Sequence, residues 1–163
     1  MLVGIISDTH DQIDRAQRAV QLLRDQGAQV LFHCGDLVEA DMIATCAVMP
    51  SYFVFGNNDA DSVPEIRKAI ASIDGAVCLE WGGTVELAGQ RLAMAHGHLT
   101  TDIRRLLATE PEYLFSGHSH IAGDFQHGKT RRINPGALHR AKAYSVALLN
   151  LSNHELRFLP IRP

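Results

Sequence analysis

Leu2-Val3-Gly4-Ile5-Ile6-Ser7-Asp8-Thr9-His10 is a short apolar run that passes directly into a polar loop. A run this short with no polar interruption predicts a strand buried on both faces, with the loop at its carboxyl end. The pattern recurs twice: Val30–Phe32 runs on into Gly35-Asp36, and Tyr52–Phe55 into Gly56-Asn57-Asn58-Asp59. The intervening segments are amphipathic. Ile13, Ala16, Val20 and Leu23 recur at helical spacing, with Asp11 placed to cap that helix and Gly27 to end it. A second helix is expected from about Glu39 to Val48, before Pro50, and a third from Pro64 to about Ile73. Residues 1–75 therefore read β-α-β-α-β-α, the order of parallel strands in an α/β layer fold. In open α/β sheets ligands bind at the carboxyl ends of the strands, so three aspartate-bearing loops should converge there.

The second half changes character. Ala76–Leu79 predicts a short strand, and Thr84–Leu87 and Arg91–Ala95 flank Ala88-Gly89-Gln90 as a hairpin would. His96-Gly97-His98 follows, then a helix over about Thr101–Ala108 that ends before Pro111. Tyr113–Phe115 leads into Ser116-Gly117-His118-Ser119-His120, and four more strands are expected at Asp124–Gln126, Thr130–Ile133, Tyr144–Leu149 and Leu156–Ile161. One α/β domain over residues 1–163 with a second, more antiparallel sheet accounts for this order.

Composition narrows the function. The 163 residues are 46% hydrophobic and 20% charged, ordinary for a folded globular chain and unlike a disordered or collagenous one. No apolar run reaches the roughly 18 residues of a membrane helix. A net charge of −3 carries no basic footprint for stable nucleic-acid binding. Cys34, Cys46 and Cys78 are too scattered for a disulfide framework, and Met1 runs straight into the first strand without a basic leader; a cytoplasmic location is expected.

Nine histidines stand out. Five loops after predicted strands bear metal-ligand side chains: Asp8-Thr9-His10, Gly35-Asp36, Gly56-Asn57-Asn58-Asp59, His96-Gly97-His98 and Gly117-His118-Ser119-His120. A lone histidine at a strand end is more often a cap or a core residue. Five such loops in one small chain would bury many titratable groups at high cost unless a metal were shared among them. Carboxylate, amide oxygen and imidazole suit Mn²⁺, Fe²⁺, Co²⁺, Ni²⁺ or Zn²⁺. His33 lies within a core strand and is expected to be structural, and Cys34 to be a small buried hydrophobe. His127, His139 and His154 are expected at the surface. Arg131, Arg132, Arg140 and Lys142 either rim the site or form a solvated face. Gly123–Thr130 matches the phosphate-loop pattern G-x-x-x-x-G-K-[ST], but that loop must open a helix, and Pro135-Gly136 follow; a hairpin turning at His127-Gly128 is expected instead.

Taken in order, Asp-x-His, Gly-Asp, Gly-Asn-x-Asp, His-Gly-His and Gly-His-Ser-His resemble the calcineurin-like metallophosphoesterases. The short chain and Asn134-Pro135-Gly136 resemble the small phosphodiesterase branch. The resemblance implies a four-layer α-β-β-α sandwich with two mixed β-sheets flanked by helices. It implies two divalent metal ions, Mn²⁺ foremost and Ni²⁺, Co²⁺, Fe²⁺ or Zn²⁺ as alternatives. The first would be held by Asp8, His10, Asp36 and His120, the second by Asp36, Asn57, His96 and His118, with Asp36 shared. The implied activity is hydrolysis of a small phosphate ester, a diester before a monoester, by a metal-bridging hydroxide. Cations ~3.5–4 Å apart repel, so a shared carboxylate and a hydroxide must lie between them. Two dications outweigh two carboxylates and a hydroxide, leaving a positive hole for an anion in an acidic protein.

One position departs from the pattern. Larger phosphatases carry histidine where this chain has Asn58, and asparagine cannot act as a general acid. His98 is the nearest candidate for a leaving-group acid or a phosphate contact, and Asp59 is expected to orient a neighbour. Two alternatives stand beside the diesterase: a phosphomonoesterase, which Asn58 weakens, and a non-catalytic interaction scaffold. A eukaryotic retromer subunit resembles this family as such a scaffold but has lost metal-site residues, whereas every expected ligand is present here. A homodimer or homotetramer is expected from the small branch.

Overall fold

The computed structural model describes residues 1–163. Its regular elements follow one another as β1 (Leu2–Ile6), α1 (Ile13–Asp25), β2 (Val30–His33), α2 (Asp41–Cys46), β3 (Ser51–Phe53), a 3-10 turn (Asn57–Ser62), α3 (Val63–Ala71), β4 (Ala76–Cys78), β5 (Gly82–Leu87), β6 (Gln90–Ala95), α4 (Thr100–Leu107), β7 (Tyr113–Phe115), β8 (Gly123–His127), β9 (Thr130–Asn134), β10 (Tyr144–Asn150) and β11 (Leu156–Ile161).

Two mixed sheets result. The first has the order β11-β10-β1-β2-β3-β4, with β1 to β4 parallel, β10 antiparallel on the other side of β1, and β11 antiparallel to β10. The second has the order β5-β6-β7-β9-β8; β6, β7 and β9 are parallel, and the hairpins β5–β6 and β8–β9 are antiparallel.

Side-chain alternation in the strands builds the layers. Val3 and Ile5 face the second sheet with Phe32, Phe115, Leu92 and Met94. Ile6 faces the other way, into a cluster with Ala16, Leu23, Ile43, Ile66 and Ile70 from α1, α2 and α3. At Gly4 any side chain would meet Leu23, so α1 packs directly on the strand backbone. On the far side of the second sheet Ala93, Ala95 and Leu114 pack under Ile103 and Leu106 of α4. Three apolar layers between four structural layers make the α-β-β-α sandwich expected from the family resemblance.

Local differences from the sequence reading have physical causes. Asp11 does not cap α1. It adopts φ 57 and gives its N–H to Leu37 O, and Gln12 occupies the cap position without a side-chain bond. Gly27 does end the helix, at φ 88 with its N–H on Arg24 O. α2 is shorter than predicted; just before it Leu37 O accepts the Asp11 N–H and the Val38 N–H donates to the Asp59 carboxylate. β4 pairs with β3 and completes the first sheet. The Gly123–Thr130 segment is the β8–β9 hairpin, with His127 opposite Thr130, so no helix follows that phosphate-loop pattern.

Candidate metal centre

The carboxyl ends of β1, β2, β3, β6, β7 and β9 all open on the same edge of the sandwich, because β1–β2–β3 and β6–β7–β9 are parallel sets. Asp8, Asp36, His96, His118 and His120 therefore arrive from loops of both sheets. Asp8, His10 and His120 bring one ligand atom each within 4.8 Å of one another, and so do Asp8, Asp36 and His96. His120 Nε2 lies 3.1 Å from Asp8 Oδ1, His10 Nε2 3.3 Å from Asp36 Oδ2, and His96 Nε2 3.4 Å from the same oxygen.

The loops are held tightly. Asp8 Oδ2 accepts the Ser7 hydroxyl (2.6 Å) and the His118 N–H (3.1 Å). Its other oxygen, Oδ1, is buried without a hydrogen-bond partner, as are His10 Nε2 and His96 Nε2. His96 Nδ1 lies 2.8 Å from Cys34 O; a carbonyl only accepts, so Nδ1 carries the proton and the neutral ring presents the Nε2 lone pair. His33 has the opposite tautomer. The Gly35 N–H donates to its Nδ1, so Nε2–H donates to Thr9 Oγ1, whose hydroxyl in turn donates to Asp36 O. This chain ties the β1 loop to the β2 loop through a fully buried ring. Burial, then the neighbouring His96, lowers His33 to about 3, so it stays neutral.

Asp59 is also fully buried, and it touches backbone. Its carboxylate accepts the N–H groups of Gly56 (2.7 Å), Asp36 (2.9 Å) and Val38 (2.7 Å), fastening the β2 and β3 loops together. Asn58 holds Asp36 through its backbone N–H (2.9 Å to Oδ1) and its side-chain amide (2.7 Å to Oδ2). Two glycines are there for close approach: a Cβ on Gly56 would collide with Asp36, and one on Gly117 with Ser7 and Asp8.

Backbone strain concentrates on the same residues. Asp8 (φ 53), His10 (φ 41), Asp36 (φ 58), His118 (φ 66) and His120 (φ 58) all take the left-handed conformation that non-glycine residues avoid. Each costs about 1–3 kcal/mol and persists only where surroundings over-determine it, which is characteristic of ligand-holding sites.

Electrostatics follow from the crowding. Burial pushes the Asp36 carboxyl up, but the imidazoles of His10 and His96 close beside it outweigh this and hold Asp36 below the ordinary carboxylate range. Burial pushes His96 down, and the negative charge of the neighbouring Asp36 and Asp8 outweighs it and raises it. Carboxylates and imidazoles whose buried ligand atoms lack hydrogen-bond partners fit a divalent cation with nitrogen and oxygen ligands.

The other expected site residues lie at the mouth. Asn57 is exposed at the start of the 3-10 turn, and its side chain makes no hydrogen bond within the chain. His118 is exposed, its ring 5.1 Å from that of His96. His98 is half-buried, 5.5 Å from His96 and 6.0 Å from Trp81, with Nδ1 unpartnered. Burial, then His96 and His118, lowers it.

His139 corrects the sequence reading, which placed it at the surface. It is half-buried with its ring 4.7 Å from that of His10. It comes from the loop after β9, which reaches the site because β9 is parallel to β7. Asn134 in the same stretch donates to Gly117 O (2.8 Å) and Ser119 Oγ (3.1 Å), bracing the His118–His120 loop. The triplet Asn134-Pro135-Gly136 was the available signal for this sixth loop. Arg131 is turned away, paired with Asp124.

A four-layer sandwich whose parallel strands end on buried carboxylates and imidazoles is a scaffold that could hold a metal ion. Residues 1–154 match the calcineurin-like phosphoesterase superfamily domain, and the chain belongs to that family. It is 24% identical over 139 residues to phosphodiesterase MJ0936 of Methanocaldococcus jannaschii, covering 83% of either protein. Its fold matches that of an archaeal phosphodiesterase with a TM-score of 0.87, at 21% identity over 98% of this chain and 99% of the other. It also matches Vps29 of Entamoeba histolytica complexed with Zn²⁺, with a TM-score of 0.61 at 17% identity over 98% and 91% of the two chains. No helix is long and apolar enough to cross a membrane.

Proposed function

We propose that this member of the phosphoesterase family is a phosphodiesterase that works with two divalent metal ions, Mn²⁺ foremost, within one domain spanning residues 1–163. The observation that carries the proposal is the convergence of Asp8 Oδ1, His10 Nε2 and His96 Nε2, buried without hydrogen-bond partners, on strained loops. Asp8, His10, Asp36 and His120 would hold one ion. Asp36, Asn57, His96 and His118 would hold the other. When bound, the ions supply an activated water as nucleophile and positive charge for the phosphoryl oxygens.

The chain's own residues do the rest. Ser7, Asn58 and the His118 amide fix the carboxylate rotamers of Asp8 and Asp36. Cys34 O fixes the His96 tautomer. His98, half-buried beside Trp81, stands at the mouth with a ring nitrogen available to donate to a phosphoryl or leaving-group oxygen. Asn58 is committed to Asp36 and supplies no acid, which favours diesters with able leaving groups over monoesters. The relative named a phosphodiesterase supports the same preference.

Elemental analysis together with hydrolysis of a chromogenic phosphodiester, before and after chelation and Mn²⁺ return, tests the proposal. About two ions per chain with activity lost and restored supports it. Under one ion per chain and no turnover with Mn²⁺, Ni²⁺, Co²⁺ or Zn²⁺ overturns it in favour of the interaction scaffold.

A further inference from the structure

Beside the metal centre lies an open groove of about 700 Å³, within the size range of small-molecule sites. His120 forms part of its wall, so the groove begins at one of the proposed metal ligands. Its sides are apolar: Ile121, Tyr144, Phe158 and Pro160. Ile121 is 69% exposed and Phe158 38%, and both contribute to the apolar wall of this one groove. Arg140 and Lys142 also line it, and neither has a carboxylate within 4.0 Å, so both cations are free to meet an anion in the groove. Arg15 lies against the groove's Tyr144, its guanidinium 3.8 Å from the ring centroid, and it too has no carboxylate partner.

Arg140 is also tied to the metal centre through its backbone. It adopts φ 46, and its carbonyl lies 3.4 Å from His120 Nδ1. The loop that presents the cation is thus the loop that orients a proposed metal ligand.

We propose that this groove receives one arm of the phosphodiester, and that the arm carries a ring and a second anionic group. The ring lies against Ile121, Tyr144 and Phe158, and the second anion meets Arg140 and Lys142. This rests on the phosphodiesterase reading and adds the substrate class. Unpaired cations beside an apolar wall match an arm that is both flat and charged, as in a nucleoside bisphosphate; an uncharged arm would leave both cations without a partner.

The test compares two chromogenic diesters with the same leaving group: the 5′-p-nitrophenyl ester of thymidine 5′-phosphate and that of thymidine 3′,5′-bisphosphate. The expected result is a kcat/KM at least about tenfold higher for the bisphosphate ester, the scale of one charge-assisted contact. In R140A/K142A that ratio falls toward one. The ratio is the readout, so a general change in rate does not affect it. Binding of thymidine 3′,5′-bisphosphate to the chelator-treated protein gives a second readout independent of turnover, and R140A/K142A should weaken it by a similar factor. Binding lost in the variant but no hydrolysis in the wild type would refute the diesterase reading and keep the groove. Hydrolysis with no preference, or a preference the variant retains, overturns the groove. So does a groove covered by a second copy, seen as F158E changing the mass in solution while the ratio stays put.

Discussion

The two sides of the metal centre are built differently. Asp8, Asp36 and His96 are buried, and each is fixed by bonds to backbone or to a neighbouring side chain. Asn57 and His118 are exposed, and their side chains make no hydrogen bond within the chain. The buried side is organised by the fold itself, at the expense of strained backbone and crowded like-type groups. Asp8 and Asp36 are thus the part of the site most coupled to stability, and Asn57 and His118 the part most free to change without harm to the fold.

The largest expected effect is at Asp36, the carboxylate proposed to be shared between the two ions. Asp36→Asn should lower phosphodiester turnover by more than about 100-fold, since substitutions of outer partners alone reach 10–100-fold. His118→Ala should lose less, and added Mn²⁺ should recover part of it. Steady-state rates across a Mn²⁺ titration measure both, and equal, unrecoverable losses would erase the distinction between the two sides. Next comes Asp59→Ala, which leaves the backbone amides of Gly56, Asp36 and Val38 without their carboxylate acceptor. Metal affinity by calorimetry should weaken by about 10–100-fold although the residue touches no proposed ligand atom. An unchanged affinity would show that the loops hold without it.

Gly117→Ala should destabilise the metal-free protein by about 1–3 kcal/mol, because the added carbon meets Ser7 and Asp8, and thermal unfolding should show the loss. At neutral pH the smallest effect is expected at His33, where it takes the form of a pH dependence. Its folded value, about 3, lies below the ordinary 6.5. Its contribution is therefore complete above pH 6.5 and lost as pH falls toward 3. His33→Gln should be less stable than wild type at pH 7.5, and the gap should narrow by about 1.4 kcal/mol per pH unit below 6.5 in urea unfolding of the chelated protein. A gap independent of pH would mean that His33 is not held neutral.

Much of the buried side was legible in the chain. The runs Leu2–Ile6, Val30–Phe32 and Tyr52–Phe55 each end on an aspartate-bearing loop, and strand polarity puts such loops on one edge. The role of Asp59 as an organiser, the interior place of His33 and the hairpin at the phosphate-loop pattern were legible as well. His139 was not, because its loop reaches the site only through the parallel pairing of β9 with β7. Nor was the conformation of Asp11: an aspartate before a helix usually caps it, and here the Leu37 carbonyl draws its backbone elsewhere. The groove along Arg140 and Lys142 was invisible for the same kind of reason, since its walls come from residues 119–122, 140–145 and 158–160.

By itself the sequence determined the alternation of strands and helices in the first half and the chemistry at each strand end, because periodicity and residue type act over a few neighbouring positions. Only the tertiary structure decided that β4, β10 and β11 join the first sheet, that Asp8 and Asp36 are buried, and that Arg140 and Lys142 line one groove with apolar residues beside His120. Those outcomes depend on which distant surfaces close on one another, and pairing across tens of residues is set by the joint burial of both sheets rather than by any local pattern.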